Sequence, residues 1–128
     1  MKNKDTQIAI LDASAACHMP DVIEMPYLPP VLGAEAADHA DSRTWRLAGP
    51  TCLAGDVIGD YHFPREVIAG ERLLFGDMAI YTTCKNNTFN GMPLPAIWVY
   101  REDGTCEELV HFGYEDFKVR LGRNNVSS

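Results

Sequence analysis

The sequence predicts an all-β domain, a sandwich or a barrel, finished by one short helix at its C-terminal end. Three observations predict it. About six short runs rich in Ile, Val, Leu and aromatic residues are separated by Gly, Pro, Asn and Asp, the residues that turn a chain. No strand candidate alternates with a long amphipathic stretch, so a Rossmann or TIM-barrel architecture within these 128 residues is excluded. Only the tail carries helical spacing.

Residues 7–11 (QIAIL) read as the first strand. Residues 20–30 contain Pro20, Pro26, Pro29 and Pro30. Proline fixes φ and lacks an N–H, so this stretch is predicted to be an extended loop and not a helix. Residues 34–42 (AEAADHADS) are predicted as a mobile surface loop, and 44–47 (TWRL) as a strand broken by Gly49-Pro50. Two further strands are expected at 72–75 and 78–82, separated by Gly76-Asp77, and a turn at Asn90-Gly91. The clearest local signal follows. The runs 97–100 (IWVY) and 107–110 (EELV) flank Asp103-Gly104, which predicts a β-hairpin. Tyr114, Phe117 and Leu121 fall on one face of a short helix. Residues 1–6 are expected to be disordered, 7–122 to form the domain, and 123–128 to fray.

A chain of this length can bury a core without disulfides or metal. Its formal charge of −7 would repel a phosphate backbone, which argues against nucleic acid. Mild acidity suits a polycation such as a polyamine, and equally serves solubility alone. No run is long enough to span a membrane as a helix, and the polar N-terminus lacks a secretory signal, so a cytoplasmic protein is expected. Cys17, Cys52, Cys84 and Cys106 form no CxxC pair and are expected as free thiols. His18, Asp21 and Glu24 do not make a known ligand spacing, and no metal is expected.

Three stretches carry a family resemblance: ILDASAACHMPDVIEMPY (10–27), GPTCLAGDVIGDYHF (49–63) and GERLLFGDMAIYTTCKNNTFNG (70–91). The tail HFGYEDFKVRL (111–121) fits them. In this order they resemble the C-terminal β-domain of the alanine-racemase-fold decarboxylases, the pyridoxal-phosphate (PLP) dependent group acting on ornithine, arginine and diaminopimelate. The GPxC…D and AxYT…FNG patterns resemble the whole group, and HMPDxxEMPY resembles its carboxynorspermidine branch.

The resemblance implies a PLP-dependent decarboxylase of polyamine biosynthesis, forming norspermidine or spermidine and CO₂. It also implies a homodimer in which each subunit completes the other's site. The family's TIM barrel, which carries the PLP-holding lysine, is expected to be absent here, since a barrel needs roughly 200 residues or more. The chain alone is therefore expected to be inactive. In the family the GPxC cysteine, matched by Cys52, protonates the carbon that has lost CO₂. An ordinary thiol titrates near ~8.5 and can serve as an acid around neutral pH.

The resemblance also implies roles for other residues. Tyr81 matches a tyrosine that binds the PLP phosphate, and a phenol can donate that bond. Asp12 and Asp56 match acidic positions near substrate, Asp56 also standing near dimer contacts. Phe89, Asn90 and Gly91 match a segment of the dimer interface. Relatives acting on simple diamines have an acid directly after the cysteine; here Leu53 stands there, which implies different recognition of the distal amine. Read without the resemblance, Cys52 is a small apolar residue, Asp56 a turn aspartate and Tyr81 a packed strand tyrosine. A non-catalytic dimerisation or binding module that kept the fold stays open as an alternative.

Overall fold

The structure, a computed structural model, describes residues 6–79 and 81–122. The expected disordered and frayed ends therefore lie outside the described residues, apart from Thr6. The chain folds as two compact units, residues 1–86 and 87–128.

The first unit is built on a four-stranded sheet of order β1-β3-β4-β2. Strand β1 (Gln7–Ile10) runs parallel to β3 (Thr44–Ala48), which runs antiparallel to β4 (Val57–His62). A parallel pair needs a crossover, and the segment between β1 and β3 supplies it with two single-turn helices, α1 (Ala15–His18) and α2 (Asp21–Glu24). Their apolar side, Ala15, Met19 and Val22, packs with Leu47, Ile58 and Tyr61 of the sheet and with Val31 and Phe63. The buried Tyr61 hydroxyl donates to Pro29 O at 2.6 Å, and burial pushes its titration well above the usual phenol range.

Several sequence expectations are corrected here. The proline-rich stretch 20–30 is not wholly extended. Pro20, at φ −61°, stands at the entry of α2, where a missing N–H costs nothing. The 34–42 segment is not a free loop either. Glu35–Ala36 forms β2 against β4, and the His62 ring meets His39 O at 2.8 Å. Strand β4, which the sequence reading did not predict, holds Gly59 and Asp60 at its middle, both poor strand formers. Gly59 leaves room for Leu28, whose Cδ1 a Cβ there would meet at 2.0 Å unless that side chain turned away.

The strand expected at 72–75 contributes only one bridge, Phe75 to Val31. No strand forms among the described residues of 78–82. Asp77 takes φ 54° and turns the chain, and Tyr81–Lys85 forms helix α3. Lys85 anchors it, with Nζ 3.2 Å from Asp21 and 2.7 Å from Glu24 of α2. That tertiary anchoring overrides the strand preference of Thr82 and Thr83.

The second unit is a hairpin and a helix. Strands β5 (Ile97–Tyr100) and β6 (Cys106–Val110) pair antiparallel. The predicted turn is present: Gly104 N donates to Arg101 O, and Arg101 N to Thr105 O, both at 2.9 Å. Helix α4 (Tyr114–Arg120) matches the predicted tail helix. Asp116 caps it by accepting from Gly113 N at 2.7 Å, and Lys118 and Arg120 complement its C-terminal dipole. The all-β expectation thus holds in part: each unit is organised on a sheet, with short helices added, and neither unit closes into a barrel among the described residues.

Candidate active-site loop around Cys52

Strand β3 ends at Ala48, and Gly49-Pro50 turns the chain away from the sheet. It returns as β4 at Val57, so residues 49–56 form a loop carrying Cys52. Gly49 N donates to Asp56 O at 2.8 Å and closes the loop at its base. Asp56 N donates to Leu53 O at 3.0 Å inside it. Cys52 is exposed and in no disulfide, and Leu53 beside it is also exposed.

The organising group is Asp56, whose residue is only 3% exposed. Its Oδ1 accepts from Ala16 N at 3.2 Å. Its Oδ2 accepts from the Ser14 hydroxyl at 2.9 Å, the Thr51 hydroxyl at 2.6 Å and Thr51 N at 3.2 Å. Burial works to raise its pKa, but the donors from Thr51, Ala16 and Ser14 outweigh that and hold the carboxyl below its usual range. The neighbouring glycine makes room: a Cβ on Gly49 would sit 2.3 Å from Asp56 Oδ2. Ser14 is fully buried, and its hydroxyl also caps α1 by accepting from Cys17 N at 3.2 Å.

The other expected site residues fall as follows. Asp12 is exposed just past β1, on the rim of an open groove of about 790 Å³ lined by Ile8, Ile10, Trp45, Ile68 and Leu74. Tyr81 opens α3 with its ring exposed and Lys85 Nζ 5.8 Å from the ring centroid; it is not the core strand tyrosine that propensity alone suggests. Phe89, Asn90 and Gly91 belong to the second unit, where they form one 3-10 turn with Asn90 at φ 59° and Gly91 at φ 71°. Of the two acids expected near substrate, Asp12 is exposed and Asp56 is buried, its oxygens held by donors of this chain.

Sequence reading did not single out Ser14 or Thr51. A serine directly before AACH is a helix-cap signal, but nothing local announces its bond to a carboxylate 42 residues away. The triad His18, Asp21 and Glu24 is divided between structural tasks. His18 Nδ1 accepts from Ser14 N at 3.1 Å, while the two acids hold Lys85. Asp38, His39 and His62 could converge on a cation. Their polar atoms are already engaged: Asp38 with the His39 ring, and the His62 ring with His39 O. They serve as a latch on the 38–44 segment.

Known proteins resemble this chain over most of its length. Residues 1–79 match the family model described as pyridoxal-dependent decarboxylase, C-terminal sheet domain. A carboxyaminopropylagmatine decarboxylase of Synechocystis is 49% identical over 114 residues, 89% of this chain and 29% of its own length. A carboxynorspermidine/carboxyspermidine decarboxylase of Campylobacter jejuni is 37% identical over 126 residues, 91% of this chain and 33% of its own. The crystal structure of a C. jejuni carboxynorspermidine decarboxylase complexed with norspermidine superposes with a TM-score of 0.85 at 37% identity, covering 94% of this chain and 35% of that one. A diaminopimelate decarboxylase structure, at 22% identity and a TM-score of 0.71, shares the fold. The chain thus spans about a third of the length of the curated relatives it matches. It belongs to the pyridoxal-dependent decarboxylase family, as that family's C-terminal sheet domain.

Proposed function

We propose that this chain forms one wall of the active site of a decarboxylase acting on a carboxylated polyamine, with Cys52 as the proton donor. The observation that carries the reading is the GPTC loop, exposed at its cysteine, in a chain 49% identical to a carboxyaminopropylagmatine decarboxylase. The substrates named for the relatives share an α-amino-acid end on a polyamine chain. PLP, when bound, supplies an electron sink beside the α-carbon that lets CO₂ leave. The C–C bond breaks, its electron pair stays on the carbon, and that pair must take up a proton. The Cys52 thiol gives the proton from Sγ and regains one from water, so an amine and CO₂ result.

The residues present fit PLP as contributors rather than as a complete cradle. The exposed Tyr81 hydroxyl would donate to a phosphate oxygen. Lys85 is ion-paired with Asp21 and Glu24 and Lys118 with Glu115, and the lysine that holds the cofactor would come from the family's barrel. Asp12 would receive the distal cation of the substrate. Leu53 in place of an acid leaves that task away from the cysteine. Phe89, Asn90 and Gly91 would line the contact with a second subunit, whose site Cys52 would complete.

The test joins this chain to the remaining two thirds of the Synechocystis relative, in place of the matched part. The hybrid should release CO₂ from carboxyaminopropylagmatine or carboxyspermidine. Cys52→Ala should lower kcat by about 10² to 10⁴ with PLP binding retained, the usual range for general acid catalysis. A hybrid that binds PLP and turns over neither substrate, or a Cys52→Ala hybrid within a few-fold of the parent, overturns the reading.

A further inference from the structure

We infer that Ser14, acting through Asp56, is a positioning residue for the Cys52 thiol. Its catalytic consequence rests on the role proposed for Cys52, but the latch itself does not. Two segments 42 residues apart meet at one buried carboxylate. On one side are Ser14 and Ala16, at the start of α1; on the other is Thr51, bonded twice and directly preceding Cys52. The Ser14 hydroxyl is engaged in both directions, donating to Asp56 and accepting from Cys17 N. Gly49 leaves the carboxylate just enough room, and Gly49 N closes the loop onto Asp56 O. The cysteine backbone is therefore fixed to the crossover helices as well as to β3 and β4. Proton delivery needs the donor within hydrogen-bond reach of the carbon's proton site, and a displacement of about 1 Å can cost about 10²-fold.

The four cysteines make the latch measurable without turnover. Cys52, Cys84 and Cys106 are exposed, and Cys17 is buried in α1, where it reports loss of structure. In the chain carrying Ser14→Ala, iodoacetamide should alkylate Cys52 at least five-fold faster, read site by site by mass spectrometry. Cys84 and Cys106 should stay within two-fold and Cys17 should stay protected. Exchange of the Thr51 amide should rise at least ten-fold while the β3–β4 ladder holds its rates. Thr51→Val should move both readouts the same way, and Thr51→Ser, which keeps the hydroxyl, should restore them. In the hybrid enzyme, Ser14→Ala should lower kcat about ten-fold or more, with KM within two-fold.

Unchanged Cys52 and Thr51 rates refute the latch whatever the activity does. Rates that rise everywhere, Cys17 included, refute it too, because Ser14 would then serve only overall stability. Altered thiol and amide rates with an unchanged kcat leave the latch standing but refute Ser14 as a positioning residue for the reaction, while Cys52→Ala separately decides whether the thiol takes part.

Discussion

Replacing Asp56 by asparagine isolates the charge and one acceptor at the centre of the loop. The carboxylate distributes its bonds unequally: Oδ2 accepts three and Oδ1 accepts one. An asparagine would keep its carbonyl oxygen toward Ser14 and Thr51 and turn its NH₂ toward Ala16 N, placing donor against donor. One bond is lost, and the remaining three lose their charged acceptor. A hydrogen bond to a charged group contributes about 1.5–3 kcal/mol, and an unpaired buried donor costs about 1–3 kcal/mol. Ala16 is only partly buried, so water relieves part of that. A loss of about 2–3 kcal/mol at neutral pH is expected, large against a total of about 5–15 kcal/mol.

The pH dependence gives a second handle. The folded pKa of Asp56 lies below its unfolded value, so its contribution is complete above the ordinary carboxylate pKa of about 3.9 and is lost as pH falls through the lowered value. Asp56→Asn should therefore flatten the acid limb of the stability curve. Urea unfolding followed by far-UV circular dichroism, at pH 7 and pH 3, measures both effects. A variant within about 0.5 kcal/mol of the parent at pH 7, or one with the same acid limb, refutes the reasoning.

Three further outcomes are expected. Gly49→Ala drives a Cβ into the Asp56 carboxylate and should cost at least about 2 kcal/mol in the same unfolding assay; a neutral result would mean the carboxylate moves freely. Leu47→Ala empties a fully buried position in the sheet unit and should cost about 2–5 kcal/mol, whereas a loss under about 1 kcal/mol would mean the core collapses around it. PLP mixed with this chain and reduced with borohydride should leave no one-to-one lysine adduct by mass spectrometry; a stoichiometric adduct would show that a lysine of this chain holds the cofactor.

What was legible in the sequence was what the chain decides locally. The β5–β6 hairpin follows from a turn dipeptide between two strand candidates, and α4 from three apolar residues at helical spacing. Strand β4 was not legible, because Gly59 and Asp60 argue against a strand and only the neighbours β3 and β2 make it one. Residues 78–82 misled for the opposite reason: their β-branched pair suggests a strand, while Lys85 finds its partners on α2. In the candidate site, motif resemblance singled out Cys52 and Asp56. The burial of Asp56 and its bond to Ser14 depend on a crossover that brings distant segments together, which spacing along the chain does not encode.

The parallel pairing of β1 with β3 also sets an order of events during synthesis. Gln7 waits for Trp45, and Ile10 for Ala48, so β1 stays without its partner until the whole crossover and β3 have been made. At the usual elongation rate of about 5–20 residues per second, β1 stays unpaired for roughly two to eight seconds. The β5–β6 hairpin, once made, can close in about 1–10 μs. During that interval QIAIL presents an open edge and two isoleucines, Ile8 and Ile10, which remain 60% and 65% exposed even in the finished unit. Association of nascent chains through this edge is expected before residue 48 emerges, and a charge placed at the exposed Ile8 should reduce it.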